Sequence, residues 1–209
     1  TNILLADEIN RTSPKVQSAL LEAMAEKQVT VDNKTHPLDA LFLVMATQNP
    51  LDLSGTFPLP LPQLDRFLFK IKMEHISRDS ELALLRGIQA VHRGVGDSLP
   101  RVSRDEVLLA RRAIQYGVHI APAIHEALVD IAAETRSSER TLQGLSSRAL
   151  VLMLPALQAR AALLGRTHVR AEDIEALAPV VFAHRLMLAP GSGLAESVVQ
   201  ACCQRPLER

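Results

Sequence analysis

The sequence predicts an α/β segment followed by an all-α segment. Two short, continuous apolar runs, Ile3-Leu4-Leu5-Ala6 and Leu41-Phe42-Leu43-Val44-Met45-Ala46, each stop at polar residues. Runs of that length without alternation suit buried strands of a parallel sheet. Beyond about residue 76 every stretch instead carries apolar residues at helical spacing, punctuated by Gly94, Gly96, Gly117, Gly144 and Gly165. Of the 209 residues 47% are apolar and 22% charged, enough apolar surface to offset chain entropy.

The elements follow in order. Ile3 to Ala6 is a strand ending at Asp7-Glu8. Thr12-Ser13-Pro14 starts a helix, with a capping hydroxyl and a proline in the first turn. Val16, Ala19, Leu20, Ala23 and Met24 form its expected apolar stripe. Val29-Thr30-Val31 and His36-Pro37-Leu38 flank Asp32-Asn33-Lys34 as a small hairpin. The second strand ends at Thr47-Gln48-Asn49-Pro50, residues 51–62 form a loop rich in Pro and Gly, and residues 68–73 read as a further strand. Helices are expected near 78–90, 103–116, 122–136, 146–165, 171–186 and 194–203. One stripe is Ile124, Leu128, Ile131 and Thr135; another is Leu150, Met153, Leu154, Leu157 and Leu164.

Composition narrows the function classes. Lys and Arg number 23, as do Asp and Glu, so no global field attracts a polyanion. With no Trp and one Tyr, base-stacking platforms are scarce. Cys202 and Cys203 are adjacent, which an ordinary disulfide cannot bridge, and a reduced, cytoplasmic setting is expected. No apolar run approaches the ~20 residues of a membrane span, and no signal peptide opens the chain. His125-Glu126 is followed at Val129 by no second histidine, so the zinc-protease helix is excluded; no Gly-x-Ser-x-Gly occurs, and no Cys/His cluster has metal spacing.

Four placements carry chemistry. Ligands of open parallel sheets bind outside the carboxyl ends of strands. There, one acid of Asp7-Glu8 can hold Mg²⁺ and the other can polarise a water for attack on a phosphoryl group. Asn49, at the tip of the neighbouring strand, can orient the same water, since an amide both donates and accepts. Arg66, in Leu64-Asp65-Arg66-Phe67, offers a planar fork matched to phosphate oxygens. Arg148 lies half a turn off its helix's apolar stripe and is free to reach another surface. Taken singly, each is equally a solvated acid, a turn asparagine or a surface arginine.

Together their order and spacing resemble the AAA+ ATPases, most closely the MoxR family. Asn2-Ile3-Leu4-Leu5-Ala6-Asp7-Glu8-Ile9-Asn10-Arg11 resembles the Walker B segment, and residues 19–30 the following helix and pre-sensor-1 hairpin. Ala46-Thr47-Gln48-Asn49-Pro50 resembles sensor 1. Gly55-Thr56-Phe57-Pro58-Leu59-Pro60 and Gln63-Leu64-Asp65-Arg66-Phe67 resemble the arginine-finger region. Ser146-Ser147-Arg148-Ala149 resembles sensor 2, and Val180 to Leu188 the end of the lid. The resemblance implies ATP and Mg²⁺ as cofactors. Asp7 would bind Mg²⁺, Glu8 would be the general base, Asn49 sensor 1, Arg66 a finger for a neighbouring subunit, and Arg148 a lid arginine. It implies residues 1–76 as the C-terminal part of the nucleotide-binding core, 77–102 as a linker helix and loop, 103–190 as the helical lid and 191–209 as a tail. It further implies a ring, expected to be a hexamer, and a protein partner bearing a von Willebrand A domain.

The sequence departs from the family pattern in three places. Leu61-Pro62 replace an acid and a small residue before the finger's Gln63, and Ser147 replaces a proline before Arg148. None of the nine glycines precedes a lysine, so the phosphate-binding loop is absent. A C-terminal fragment is therefore expected, starting at Walker B, its sheet lacking the Walker A strand and the loop lying about 60 residues upstream. Such a sheet would expose unpaired edges and apolar faces. The expected function is ATP hydrolysis coupled to chaperone-like remodelling of a protein. The alternatives are a non-catalytic helical assembly module and, less supported by charge and composition, a nucleic-acid-translocating motor.

Overall fold

The computed structural model describes residues 1–49, 55–91 and 100–208, with side chains for all but 88–91. The tip of the second strand therefore ends, for description, at Asn49, and Gly94 and Gly96 lie outside the described residues.

The two apolar runs pair side by side and parallel. Strand β1 (Ile3–Ala6) lies in register with its partner from Ile3 opposite Leu43 to Ala6 opposite Ala46. Between them the chain forms helix α1 (Pro14–Glu26), capped by the Ser13 side chain, then the hairpin of β2 (Gln28–Val31) and β3 (Lys34–Pro37), then strand β4 (Leu43–Ala46). Asp32 and Asn33 both take positive φ, 48° and 61°, as a tight two-residue hairpin turn requires.

The buried face of α1 differs from the expected stripe. Gln17, Leu21 and Ala23 are buried, while Val16 is 54% exposed. Gln17 wins the inner position because its amide has work there: Nε2 donates to Ile9 O at 3.1 Å and to Phe57 O at 2.9 Å. It clips the loop before Leu61 to the turn after β1.

The expected strand at 68–73 does not form among the described residues. A strand needs a partner ladder, and here Lys70 N instead donates to Val180 O at 3.0 Å, in the helical part. Before it, Leu61 and Pro62 open a single helical turn, α2 (Leu61–Leu64), with proline in the first-turn position that helices accept. The departure from the family pattern thus builds the turn that carries Arg66.

Among the described residues six α-helices follow: α3 (Arg78–Val91), α4 (Arg104–Gly117), α5 (Pro122–Ser137), α6 (Ser147–Leu163), α7 (Ala171–Phe182) and α8 (Ala195–Leu207). Helix α4 starts with a full capping box between Ser103 and Glu106. A short antiparallel pair, β5 (Thr141–Gln143) and β6 (Met187–Leu188), closes the corner after α5. The main core sits here. Leu128 and Ile131 of α5, Met153 and Leu157 of α6, Ile174, Val181 and Phe182 of α7 and Val198 of α8 are essentially inaccessible. Thr135 is buried as its stripe predicts, whereas Leu164 is 56% exposed, because α6 has ended one residue earlier. Asp173, 1% exposed, caps α7 by accepting from Arg170 N and both terminal nitrogens of Arg166. Burial pushes its carboxyl upward, but those donors outweigh it and hold it below the usual range.

The parallel pair has one half-buried face and one open face. Ile3 (61%), Leu5 (63%), Leu43 (51%) and Met45 (55%) share the exposed face. Parallel strands ordinarily bury both faces, so this is the apolar face expected of a partial sheet. Among the described residues no helix is long and apolar enough to cross a membrane.

Candidate functional site

The register that sets Ala6 beside Ala46 carries the two chains out of the sheet together. Thr47 N donates to Ala6 O at 3.0 Å, and Ile9 N donates back to Thr47 O at 3.0 Å. The Thr47 hydroxyl then makes a two-way clip: it donates to Asp7 Oδ1 at 2.6 Å and accepts from Glu8 N at 2.8 Å. Asn10 Nδ2 donates to Asn49 O at 3.2 Å. Asp7, Glu8 and Asn49 are thus brought together at the carboxyl end of β1 and β4.

Glu8 takes a left-handed backbone, φ 48°, at the start of a short 3-10 turn over Ile9–Arg11. Arg11 Nε lies 3.1 Å from Glu8 Oε2, both side chains being roughly two-fifths exposed. Asp7 is exposed. One of its oxygens is engaged by Thr47, and the other has no hydrogen-bond partner among the described residues. Mg²⁺ takes one or two carboxylates plus waters and phosphate oxygens, so this donor set fits that ion. Among the described residues no group of three or more His, Cys, Asp or Glu could form an all-protein metal cage.

The two arginines stand elsewhere. Arg66 follows α2, partly buried, and its Nη1 donates to Leu21 O of α1 at 3.3 Å. Arg148 is exposed in the first turn of α6, without a hydrogen-bond or ion-pair partner among the described residues. Neither bonds to the strand-tip acids.

Sequence reasoning missed three parts of this arrangement. Thr47 lies inside a quoted motif, yet its clip joins residues 39 and 40 positions away, which no local pattern reveals. Asn10 and Gln17 are buried amides whose partners are distant carbonyls. The third is the joint between the turn that carries Arg66 and the helical part. Arg185, buried in the 3-10 turn over Ala183–Arg185, donates from Nε to Asp65 Oδ1 at 2.8 Å. Burial lowers the Arg185 pKa, and Asp65 partly offsets that. His184 Nε2 lies 3.0 Å from Phe67 O, while its Nδ1 is buried with no hydrogen-bond partner among the described residues. Burial, and next to it the Arg185 charge, hold His184 down to about 4.

Two family models match the chain. Residues 1–69 match the "ATPase family associated with various cellular activities (AAA)" and residues 133–201 match the "AAA lid domain". Among curated relatives, the uncharacterized protein YeaC of Bacillus subtilis is 45% identical over 189 residues, spanning 90% of this chain and 58% of its own length. The chaperone MoxR1 of Mycobacterium tuberculosis is 37% identical, over 90% of this chain and 51% of its own. Protein MoxR of Methylorubrum extorquens is 32% identical, over 90% and 60%. A solved structure of a candidate ATPase from Cytophaga hutchinsonii superposes with a TM-score of 0.84 at 34% identity, covering 96% of this chain and 64% of that one. The chain therefore spans between half and two thirds of the length of the proteins it matches. Its partial parallel sheet with acids at the strand tips and its helical lid, together with these relatives, identify it as a member of the MoxR family of AAA+ ATPases.

Proposed function

We propose that the whole protein hydrolyses ATP in a ring and uses the cycle to remodel a protein partner. The observation that carries this is the strand-tip cluster: Asp7 and Glu8 joined by the Thr47 hydroxyl, with the Asn49 carbonyl tied beside them by Asn10. Glu8 is the general base. Arg11 engages Oε2, which leaves Oε1 to accept the proton of the attacking water as the phosphorus–oxygen bond to ADP breaks. Asn49 orients that water. Asp7 would hold Mg²⁺, whose charge offsets the charge on the phosphate oxygens when bound. Arg66 is delivered to a neighbour's γ-phosphate and Arg148 reaches the nucleotide from the lid. The phosphate-binding loop lies in residues of the whole protein outside this sequence, because no Gly-Lys occurs here.

The balanced charge favours a protein partner over nucleic acid, and a von Willebrand A domain is the expected kind. Cys202 and Cys203 are free and buried, and burial pushes Cys203 up to about 12, so both thiols are inert. They suit a reducing cytoplasmic setting.

The test is ATP turnover by the whole protein in mixed rings. Arg66→Ala alone should lose about 10³-fold or more in rate, the scale of an arginine supplied in trans. Glu8→Gln alone should be equally silent. Mixed, the two should regain turnover at interfaces where intact Arg66 meets intact Glu8. A mixture as silent as its parts would overturn action in trans. Stimulation by DNA rather than by a von Willebrand A domain would favour the motor alternative.

A further inference from the structure

Asp65 has two carboxylate oxygens, and both are used by the lid. Arg185 Nε donates to Oδ1 at 2.8 Å, and Ser146 Oγ donates to Oδ2 at 3.1 Å. The Arg185 side chain is 1% exposed. Its other donors reach the carbonyl oxygens of Asp65, Phe67, Leu68 and Val181. Lys70 N donates to Val180 O at 3.0 Å, and Leu68 packs against the lid core. Among the described residues, the hydrogen bond from this segment to α1 is the longer 3.3 Å one from Arg66 to Leu21 O. Residues 65–70 are thus fastened more firmly to the lid than to the sheet side.

Ser146 is also the cap of α6, accepting from Ala149 N, and the first turn of α6 carries Arg148. One carboxylate therefore joins the turn bearing Arg66, the helix start bearing Arg148 and the 3-10 turn after α7. A buried guanidinium needs a paired acid, so this tie cannot slip without stranding Arg185.

We propose that Asp65 is a positioning residue that makes the Arg66 turn a moving part of the lid. When the lid shifts, Arg66 and Arg148 shift as one body. The nucleotide state sensed by Arg148 in one subunit then sets where Arg66 stands at the next subunit's site. This rests on the reading of Arg66 as an arginine acting in trans.

The experiment uses the whole protein with Asp65→Ala and Ser146→Ala. Asp65→Ala should lose about 10²-fold in kcat, the scale of a misplaced reacting group. Mixing it with Glu8→Gln subunits should restore turnover, because intact Arg66 of the latter then serves intact Glu8 of the former. A variant that merely misfolds gives no restoration. Ser146→Ala keeps the Arg185 pair and should show a smaller fall of the same kind. Hydrogen exchange reads the tie independently of ATP turnover: the Lys70 amide should lose protection in Asp65→Ala while the Val169 amide, bonded to His119 O, keeps it. If the wild-type protein turned over no ATP, the reading of Arg66 would fail, while the exchange result would still decide the tie. Wild-type kcat with full Lys70 protection in Asp65→Ala would overturn the proposal, as would unrestored mixed rings.

Discussion

Glu8 holds a left-handed backbone that costs an L-residue roughly 1–2 kcal/mol. The surroundings compensate: its N–H meets the Thr47 hydroxyl and its carboxylate meets Arg11. Strain held by its neighbours is common where geometry serves chemistry. The placement of Asp7, Glu8 and Asn49 just beyond the strand ends was legible in the sequence, because apolar runs mark where strands stop. Thr47, Asn10 and Gln17 were not, because a hydroxyl or amide announces its partner only after folding. His184 gives the prediction at this scale. Its folded value of about 4 lies below the ordinary 6.5, so the protein holds it neutral. That stabilisation is complete above pH 6.5 and is lost as the pH falls toward 4, worth of the order of 3 kcal/mol. Thermal melting followed from pH 7 to 4 should decline steeply, and His184→Gln should flatten the decline. Parallel curves for the two proteins would mean that His184 titrates normally.

At the scale of elements, the helices were the most legible, because apolar spacing and capping residues act locally. Ser13 and Ser103 cap the helices they precede. Strand 68–73 was misread because alternation describes one chain, while a strand is a property of two. The corner between α5 and α6 shows how an element is aimed. Leu145 N donates to Thr135 Oγ1 at 3.1 Å, and Arg136 Nε donates to Leu145 O at 2.9 Å. Gly144 fits there because an added Cβ would lie 2.7 Å from Arg136 N, a backbone atom that cannot yield alone. Gly144→Ala should destabilise the lid by about 1–3 kcal/mol, the usual cost of overpacking, read as a lower denaturant midpoint. An unchanged midpoint would mean that the corner is loose, and that Arg148 is not aimed by it.

At the scale of the molecule, the sheet and lid differ in completeness. The lid has a closed core, whereas β1 and β4 present Ile3, Leu5, Leu43 and Met45 outward. In the whole protein, further strands and helices are expected to cover that face. Leu5→Ser with Met45→Ser should then cost several kcal/mol there, at about 1.5–3 kcal/mol per buried side chain, yet almost nothing in this chain alone. Equal, small effects in both would mean that the face stays open. The neutral charge sum says little about chemistry. Asp7 and Glu8 after β1, Arg66 after α2 and Arg148 in the first turn of α6 carry the account. Its central claim is that Glu8 activates the water, and the direct measurement is ATP binding beside single-turnover hydrolysis in whole-protein Glu8→Gln. The account predicts binding retained and hydrolysis lowered by about 10²-fold or more, the scale of a lost general base. Hydrolysis at the wild-type rate with binding intact would contradict it.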